Sequence, residues 1–235
     1  MNDKDFLLRY ARQIAVEGIG KEGQKKISDS KVLIIGCGAL GSMVAMQLAG
    51  AGIGTIGIVD FDTIDISNLQ RQFFFTTKDQ GKSKSEILQQ SIRSLNPLIN
   101  VIALNTFLTS KKSLELFQDY DFIIDATDNP ESKKMTGDIS YKMTKPCCIG
   151  GVRNFSGQVM TFLPEDDRFE DFFGTTSSDG VLPCSLSGVI GPAAAICASI
   201  QASECIKFIT GAGELLSKKL FYFDLSSNIF QIFSL

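Results

Sequence analysis

The segment over residues 31–60 constrains the fold of this chain more than any other. Its apolar runs are short and continuous, which is typical of strands that are covered on both faces. In chain order it predicts a strand at 31–35 (KVLII), a glycine-rich turn at 36–41 (GCGALG), a helix at 42–51 and a strand at 55–59. An acid, Asp60, follows the second strand. This order predicts the opening of a doubly wound fold that binds a nucleotide.

The rest of the chain continues the alternation of apolar runs and turns. Further predicted helices lie at 3–28 (interrupted at Gly18, Gly20 and Gly23), 81–95, 113–117 and 188–210, and further strands at 100–104, 122–125, from 146, 157–162, 219–225 and 229–233. Residues 164–183 lack periodicity and predict a long loop. We therefore expect an α/β fold with a doubly wound, Rossmann-like, mainly parallel sheet. Its C-terminal strands are expected to extend the sheet in mixed or antiparallel fashion.

Composition excludes several classes of protein. The 235 residues carry a net charge of −3, so the field of the whole chain does not favour nucleic acid. The start is charged and has no apolar run, and 188–210 is interrupted by Gln201, Glu204 and Lys207, so we expect neither a secretory signal nor a membrane span. The six cysteines form no C-x-x-C pair and the chain has no histidine, which predicts no zinc site. Without a secretory signal a disulfide scaffold is not expected, which predicts a reducing cytoplasm.

The glycine-rich turn is the first motif that carries chemistry. Gly36, Gly38, Ala39 and Gly41 allow the backbone to approach a phosphate or nucleoside next to a helix N-terminus. Asp60 lies where a carboxylate can bind ribose hydroxyls. Up to this point an NAD-dependent enzyme fits as well as an ATP-dependent one.

The segment SNLQRQ, at 67–72, distinguishes these two cofactors. It is too polar to be core, and GKSK at 81–84 opens the next predicted helix. A nicotinamide cofactor has no need of the two extra cations, Arg71 and Lys84. A triphosphate does need them, because charge builds on the α-phosphate and the departing pyrophosphate. The alternative is a solvated surface pair with a lysine at a helix start.

The third motif, ATDN at 126–129, follows a buried strand directly. In open α/β sheets, ligands bind at the carboxyl ends of the strands. Asp128 is therefore placed to hold Mg²⁺, which prefers one or two carboxylates together with phosphate oxygens. The alternative is a helix N-cap role for Asp128 or Asn129. Because the chain has no histidine, the chemistry must rest on carboxylates, Lys, Arg, Cys or a metal.

These motifs, in this order, resemble the ThiF/MoeB/HesA family, the bacterial relatives of ubiquitin-activating enzymes. The resemblance spans nearly the whole chain and includes RYARQI (9–14), GCGALG, DFD (60–62), SNLQRQ, GKSK, ATDN, GQV (157–159) and SGVIGP (187–192). The opening MNDKDFLLRYARQI and the late GVIGP resemble the thiamine-biosynthesis branch more than the molybdopterin branch. The resemblance implies a single adenylation domain, with a nucleotide-binding half over about 28–150 and a carrier-binding part over about 151–235.

The resemblance also implies an activity. ATP and Mg²⁺ would adenylate the C-terminal Gly-Gly carboxylate of a ubiquitin-like sulfur carrier and release pyrophosphate, for sulfur transfer in thiamine thiazole biosynthesis. The implied nucleotide-binding residues are Gly36, Gly38, Ala39, Gly41, Asp60, Asp62, Ser67, Asn68, Arg71, Gln72, Lys84, Asp128 and Asn129, and the implied catalytic residues are Arg12, Arg71, Lys84, Asp128 and Cys184. A homodimer is implied, in which Arg12 reaches into the partner's site, and a sulfur donor enzyme is a further partner.

Cys184 and the missing zinc ligands need separate treatment. In the family, a cysteine at this position takes part in sulfur or acyl transfer, and a thiol near a helix N-terminus has a lowered pKa. The alternative is a small buried hydrophobe. Many family members also bind zinc through two C-x-x-C pairs, but this chain reads FEDFF (169–173) in the first region and ends before the second. We therefore predict no zinc, with packing by Phe169, Phe172 and Phe173 in its place.

Four other functions compete with this interpretation. The same chemistry would serve a molybdopterin-type carrier, or another carboxylate such as that of a peptide. A modified tRNA base is disfavoured by the acidic composition. An NAD-dependent oxidoreductase explains the glycine turn and Asp60 but leaves SNLQRQ and ATDN unexplained. A non-catalytic scaffold for a ubiquitin-like protein would be expected to have lost some of the charged residues that this chain retains.

Overall fold

A computed structural model describes residues 3–173 and 188–235. The helices in these ranges are α1 (Asp3–Ile14), α2 (Gly20–Asp29), α3 (Ala39–Ala51), α4 (Lys84–Leu95), α5 (Ser110–Phe117), α6 (Pro130–Lys142), α7 (Phe169–Phe173) and α8 (Gly191–Thr210). The strands are β1 (Lys31–Ile35), β2 (Thr55–Val59), β3 (Asn100–Leu104), β4 (Phe122–Asp125), β5 (Cys147–Arg153), β6 (Ser156–Phe162), β7 (Lys219–Asp224) and β8 (Ile229–Ser234).

All of these strands belong to one eight-stranded sheet in the order β3-β2-β1-β4-β5-β6-β7-β8. The strands from β3 to β5 pair in parallel, and β6, β7 and β8 continue the sheet by antiparallel pairing. The predicted fold class is therefore confirmed. Because the parallel strands point the same way, their carboxyl ends meet at one edge, where open α/β sheets bind ligands.

The apolar run of β1 is continuous because the strand is covered on both faces. Val32 and Ile34 pack into a core that also contains residues of α3, α4 and α8. Leu33 and Ile35 face the opposite way, into a second core that includes Phe117 of α5 and Ile139 of α6. This central position brings the residues that follow β1 to the middle of the ligand-binding edge.

The glycine-rich turn is tighter than its sequence predicted. Helix α3 begins at Ala39 rather than at residue 42, so the helix starts inside the motif. A Cβ atom added at Gly41 would lie 1.8 Å from the carbonyl oxygen of Gly36, which no side chain can occupy. Gly36 itself has a φ of +91°. The third glycine of the motif therefore lets α3 pack directly on the turn.

The apolar segment near the C-terminus is a core helix, as predicted. By length and composition α8 could cross a membrane, but its inward face is buried against α3, β5 and β6. Its buried Glu204 accepts hydrogen bonds from Thr161 Oγ1 at 2.6 Å and from the Leu216 amide at 2.7 Å. These polar anchors to β6 and to the chain before β7 fix the helix on the sheet.

Several predicted boundaries were wrong. Helix α6 was not predicted, although Asn129 accepts from the Ser132 amide at its N-cap and Pro130 occupies its first turn. The N-terminal run forms two helices, and both Gly20 and Gly23 lie within α2. Helices α4 and α8 start three residues later than predicted and α5 three residues earlier. Ser83 and Thr109 cap α4 and α5 by accepting hydrogen bonds from backbone amides, which places those starts.

The region that was predicted as one long loop contains helix α7, whose described part is held on both sides. Phe169 is buried and packs on Gly137 of α6, where a Cβ atom would come within 2.7 Å of it. Phe169 and Phe172 also contact the ring of Phe162. The expected packing of Phe169 and Phe172 is confirmed, whereas the side chain of Phe173 lies outside the described part of the chain. The predicted absence of zinc stays a prediction.

Candidate active site

A cavity of about 550 Å³ lies at the carboxyl ends of β1, β2 and β4. It brings together nearly all of the residues that the motifs predicted for the nucleotide. The predicted residues that line it are Gly36, Gly38, Ala39, Asp60, Asp62, Ser67, Asn68, Arg71, Gln72, Lys84, Asp128 and Asn129. Gly41 lies behind the lining, under the turn, and Cys184 falls outside the described residues. Five separate stretches of sequence thus meet in one space.

The N-terminus of α3 is directed at this space. Gly38 is its N-cap, and no side chain of the described residues caps it. The first amides of a helix have no partner within the helix, and they carry partial positive charge. Gly36 allows the close approach of the neighbouring loop, because a Cβ atom there would lie 3.0 Å from the carbonyl oxygen of Ala126. An anionic group can therefore reach the backbone of this turn.

Asp60 connects the glycine turn to the end of β2. One carboxylate oxygen accepts from the Cys37 amide at 2.6 Å, and the other accepts from the Asp62 amide at 2.7 Å. Burial raises the pKa of Asp60, and these two amides oppose the rise. Each carboxylate oxygen can accept a further hydrogen bond. Asp60 can therefore take hydroxyl donors such as those of a ribose without losing its own anchors.

Lys84 is the more fixed of the two predicted phosphate-binding cations. It is the first residue of α4 and only 6% exposed, and its Nζ lies 2.7 Å from Asp62 Oδ2. The ammonium group has three donors, so this ion pair leaves capacity for a ligand oxygen. Asp62 is half exposed and holds the lysine at the cavity wall. The structure thus supplies a reason for the second acid of DFD.

Arg71 is held by the segment that carries it. Its Nη1 donates to the carbonyl oxygen of Ser67, four residues earlier, at 2.9 Å. Ser67 lies in a short 3-10 turn, Ile66–Asn68. That turn is closed by a capping box in which Asp65 accepts from the Ser67 amide and Asn68 accepts from the Asp65 amide. Ser67 and Asn68 therefore shape the turn as well as lining the cavity. The guanidinium group keeps further N–H donors for phosphate oxygens.

Gln72 carries a buried acceptor that the described residues do not satisfy. The residue is 3% exposed, and its Oε1 has no hydrogen-bond partner there. Its Nε2 lies beside Gly38, at the entrance of α3. Buried acceptors without a partner are rare in native proteins and call for a donor. A hydroxyl or amine of a bound ligand would supply it, so this orphan supports a ligand at this position.

The polar residues after β4 have two different roles: one caps a helix and the other lines the cavity. Asn129 caps α6 by accepting from the Ser132 amide at 2.7 Å, so the N-cap alternative applies to Asn129. Asp128 lines the cavity. Among the described residues no cluster of three or more His, Cys, Asp or Glu could hold a metal ion by itself. A Mg²⁺ ion at Asp128 would therefore need phosphate oxygens as its other ligands, which is how Mg²⁺ usually binds nucleotides.

Two features of the cavity were missed by the sequence reasoning. Phe61 and Phe107 are both exposed and meet edge to face at its rim, with ring centroids 5.2 Å apart. Phe61 lies within DFD, and Phe107 follows β3, so their positions after neighbouring strands were the available signal. Lys133 lines the cavity as a third cation. The signal for Lys133 was the N-cap and proline that start α6, but that helix was not predicted.

Neither Arg12 nor any of the five described cysteines lines the cavity. Arg12 is exposed in the last turn of α1 and does not line the cavity of its own chain. The five described cysteines, Cys37, Cys147, Cys148, Cys197 and Cys205, are all buried. Burial raises the pKa of Cys147 and Cys197 to about 12, so these thiols stay protonated. The core role predicted for the pairs on β5 and α8 is confirmed.

Comparison with known proteins identifies the family of the chain and several relatives. The model of the ThiF family matches residues 10–235. The sulfur carrier protein ThiS adenylyltransferase of Escherichia coli is 38% identical over 222 residues, which cover 92% of this chain and 87% of that protein. A sulfur carrier protein adenylyltransferase of Thermus thermophilus is 34% identical, with 94% and 84% covered. The chain spans only 58% of a probable adenylyltransferase/sulfurtransferase, MoeZ, of Mycobacterium tuberculosis, which is 37% identical.

Solved structures share the fold. PaaA superposes with a TM-score of 0.84 at 25% identity, covering all of this chain and 74% of the other. MccB of E. coli superposes with a TM-score of 0.85 at 22% identity, covering 99% of this chain and 71% of the other. At these identities the similarity to MccB establishes the architecture and leaves the substrate open.

Proposed function

The chain belongs to the ThiF family, and we propose that it uses ATP to adenylate the C-terminal carboxylate of a ubiquitin-like sulfur carrier. The observation that carries this proposal is the cavity in which Arg71, Lys84, Asp60 and Asp128 converge. Relatives named as sulfur carrier adenylyltransferases cover nearly the whole chain. An NAD-dependent oxidoreductase would leave the two cations and the acid after β4 without a role.

The proposed reaction is nucleophilic substitution at phosphorus. A carboxylate oxygen of the carrier attacks the α-phosphate, the bond to the bridging oxygen breaks, and pyrophosphate leaves with the electron pair. Negative charge grows on the α-phosphate and on the leaving group. Arg71 and Lys84 stabilise that charge, and the walls hold the reactants in line. Such chemistry needs no general base, because the attacking carboxylate is already ionised, so the lack of histidine is no obstacle.

The nucleotide would be held by groups that already have fixed positions. Asp60 would accept from the ribose hydroxyls, and the α3 N-terminus with Gly38 would face the anionic part. Gln72 Oε1 would accept from a donor of the ligand. The rim pair, Phe61 and Phe107, offers apolar faces for the base. Mg²⁺ would be held by Asp128 together with phosphate oxygens, and it would neutralise charge on the phosphates.

The carrier would enter from the C-terminal part of the sheet. Strand β5 reaches the cavity through Gly151 and Val152, and β6 to β8 extend the sheet from there to its edge. The edge strand β8 exposes large apolar side chains on both faces, namely Ile229, Phe230, Ile232 and Phe233. Exposed apolar patches of this kind mark interaction surfaces. We therefore propose that the carrier contacts this strand, in the part predicted for carrier binding.

We further propose a cytoplasmic homodimer in which Arg12 completes the partner's site. Mixing Arg12→Ala with Asp128→Ala tests this directly. Each variant alone should be inactive, whereas mixed dimers contain one site with both native residues, so an equal mixture should regain about a quarter of the wild-type activity. A mixture as inactive as its components would overturn the proposal for Arg12.

The principal experiment is ATP–pyrophosphate exchange with purified carriers that end in Gly-Gly. Exchange with a ThiS-like carrier supports a thiamine role, and exchange with a molybdopterin-type carrier alone would move the enzyme to that pathway. ATP binding without exchange on any carrier would contradict adenylation, and tight NADH binding would favour the oxidoreductase.

Metal analysis of the pure protein tests the zinc prediction, which stoichiometric zinc would overturn. Cys184 and a sulfur donor are proposed to act after adenylation, in sulfur transfer.

A further inference from the structure

Lys133 is partly buried in the wall of the cavity, and all three donors of its ammonium group have acceptors. Its Nζ donates to Asp125 Oδ1 at 3.1 Å, to the Thr127 carbonyl oxygen at 2.7 Å and to the Gly150 carbonyl oxygen at 2.6 Å. The side chain is 17% exposed. A lysine ammonium has three donors, so these three contacts leave no donor for a ligand. In this respect it differs from Lys84, whose ion pair with Asp62 leaves donors free.

The three acceptors belong to three different parts of the fold. Asp125 is the last residue of β4, Thr127 lies in the segment that leaves β4, and Gly150 lies in β5. Lys133 therefore ties the segment after β4 to the neighbouring strand. The next residue after Thr127 is Asp128, which lines the cavity. The lysine thus fixes the backbone from which the proposed Mg²⁺ ligand projects.

Asp125 reinforces the same segment. Its Oδ1 also accepts from the amide of Thr127 at 3.0 Å and from Thr127 Oγ1 at 2.7 Å. Its Oδ2 accepts from Thr136 Oγ1 at 2.7 Å, and its backbone oxygen accepts from Gln201 Nε2 at 2.8 Å. Asp125 has no exposed surface, so its charge depends on Lys133 for compensation. The carboxylate is committed to the scaffold and is not available to a metal ion.

We propose that Lys133 is a positioning residue, which holds the segment 126–129 against β5 so that Asp128 meets the nucleotide at a fixed distance. The proposal rests on the proposed function for its kinetic consequence. Its structural part does not depend on that function. Displacement of a catalytic group by about 1 Å can cost about 100-fold in rate, so a lysine that touches no ligand can still control the reaction.

The first arm of the test measures the segment itself. Amide hydrogen exchange on peptides covering 125–129 is compared among wild type, Lys133→Met and the double variant Asp125→Asn/Lys133→Met. The double variant removes both charges, so it remains informative if Lys133→Met alone fails to fold. Lys134→Met is the matched control, since that lysine is adjacent but pairs with Asp138 and Glu170 outside the cavity. We expect exchange at least about tenfold faster in the Lys133 variants and unchanged in the control.

The second arm measures catalysis by pyrophosphate exchange. The double variant should lose about 10- to 100-fold in kcat. Its ATP dissociation constant, measured without a carrier, should change less than about threefold, because other residues contact the nucleotide. Lys133→Arg keeps the charge and should restore part of the rate. When Asp128→Asn is already present, removal of Lys133 should cost little more, because the lysine acts through Asp128.

The two arms separate this inference from the proposed function. Unchanged protection of 125–129 in the double variant would overturn the positioning role, whatever the activity. Full additivity of the Lys133 and Asp128 losses, or an equal rate loss in Lys134→Met, would also overturn it. If wild type exchanges no pyrophosphate with any carrier while the hydrogen exchange changes as expected, the proposed function fails and the positioning of the segment stands.

Discussion

Asp60 directly follows β2 and Asp125 is the last residue of β4, so both acids lie at the same edge of the sheet beside β1, yet their surroundings differ. Asp60 accepts from two backbone amides and lies in the wall of the cavity. Asp125 is wholly buried and accepts from Lys133, Thr127 and Thr136. An acid with neutral donors keeps capacity for a ligand. A wholly buried acid that is neutralised by a partly buried lysine and surrounded by donors is part of the framework.

This difference assigns separate tasks to residues that look equivalent in sequence. Both acids end an apolar strand, and either could have been chosen as a ligand-binding residue. Their hydrogen-bond partners determine the role of each acid. Two backbone amides bind Asp60 and leave it accessible to a ligand, whereas Lys133 and Thr136 of α6 donate to Asp125 and cover it. Changes at Asp125 should therefore affect folding first, and changes at Asp60 should affect nucleotide binding first.

The largest effect is expected from Asp125→Ala. Removal of one partner of a buried ion pair leaves Lys133 charged and uncompensated, so the free energy of unfolding should fall by about 3–5 kcal/mol. Urea denaturation measures this. The matched control is Asp138→Ala, whose exposed pair with Lys134 should contribute less than about 1 kcal/mol. Similar losses in the two variants would show that the burial of Asp125 has no special consequence.

The next effect concerns the residues that face the phosphates. Arg71→Ala and Asp128→Ala should each lower kcat for pyrophosphate exchange by about 100- to 1,000-fold, because the first removes a cation that would stabilise the reacting phosphate and the second removes the carboxylate that would hold Mg²⁺. The free energy of unfolding should change by less than about 1 kcal/mol, since both side chains lie at the cavity. A loss of stability that matched the loss of rate would show that Arg71 and Asp128 have a structural role like that of Asp125.

A smaller effect is expected from Asp60→Asn. The substitution weakens a charged acceptor of the ribose, so ATP affinity should fall by about tenfold, which calorimetry measures. Glu86→Gln on α4 serves as the control, because it conserves shape and removes a charge outside the cavity lining. Unchanged ATP affinity in Asp60→Asn would contradict the proposed role of Asp60 in nucleotide binding.

Asp60→Asn also tests how the free energy of unfolding depends on pH. Burial raises the pKa of Asp60 above 3.8, so between the unfolded and folded pKa values the folded protein binds a proton that the unfolded chain has released. The free energy of unfolding should therefore fall with rising pH through this window in wild type, relative to Asp60→Asn. Denaturation curves at a series of pH values above about 4 test the sign. A relative rise would contradict the effect of burial.

The smallest effect on adenylation is expected from Cys184→Ala. Asp60 and Asp125 are assigned to the nucleotide site and to its framework, whereas the thiol is proposed to act in later sulfur transfer. Exchange should stay within about twofold of wild type, and transfer of sulfur to the carrier should be lost. Loss of exchange would mean that Cys184 belongs to the adenylation site and that its predicted role is wrong.

The parallel strands and the residues that line the cavity could be predicted because the sequence information that specifies them is local. The strand β1, the glycine turn and β4 are each a short stretch whose pattern determines its structure. The cavity residues also sit in contiguous motifs directly after those strands, so the strand ends brought them together. The tight entry to α3 was not predicted, because its cause, the close approach of Gly41 to the carbonyl oxygen of Gly36, is a contact between backbone atoms that the sequence pattern does not show.

Helix α6 was missed because its sequence lacks the usual apolar stripe. Its buried positions include Thr136, Gly137 and Ser140, which are small or polar, so no helical period stands out. The role of Lys133 was missed for a different reason. Two of its three acceptors are backbone oxygens, one of them 17 residues away in β5, and backbone acceptors leave no trace in a sequence.

Helix α7 has a consequence for how the protein should respond to its environment. In zinc-binding relatives, the resemblance implies that a metal ties this region to the rest of the domain. Here the ties are the rings of Phe162 and Phe169 and the part-exposed pair of Lys134 with Glu170. Apolar contacts weaken on cooling, and exposed ion pairs weaken in salt. The segment leading into residues 174–187 should therefore loosen in cold, saline solution, and the predicted absence of zinc adds that chelators should leave it unchanged.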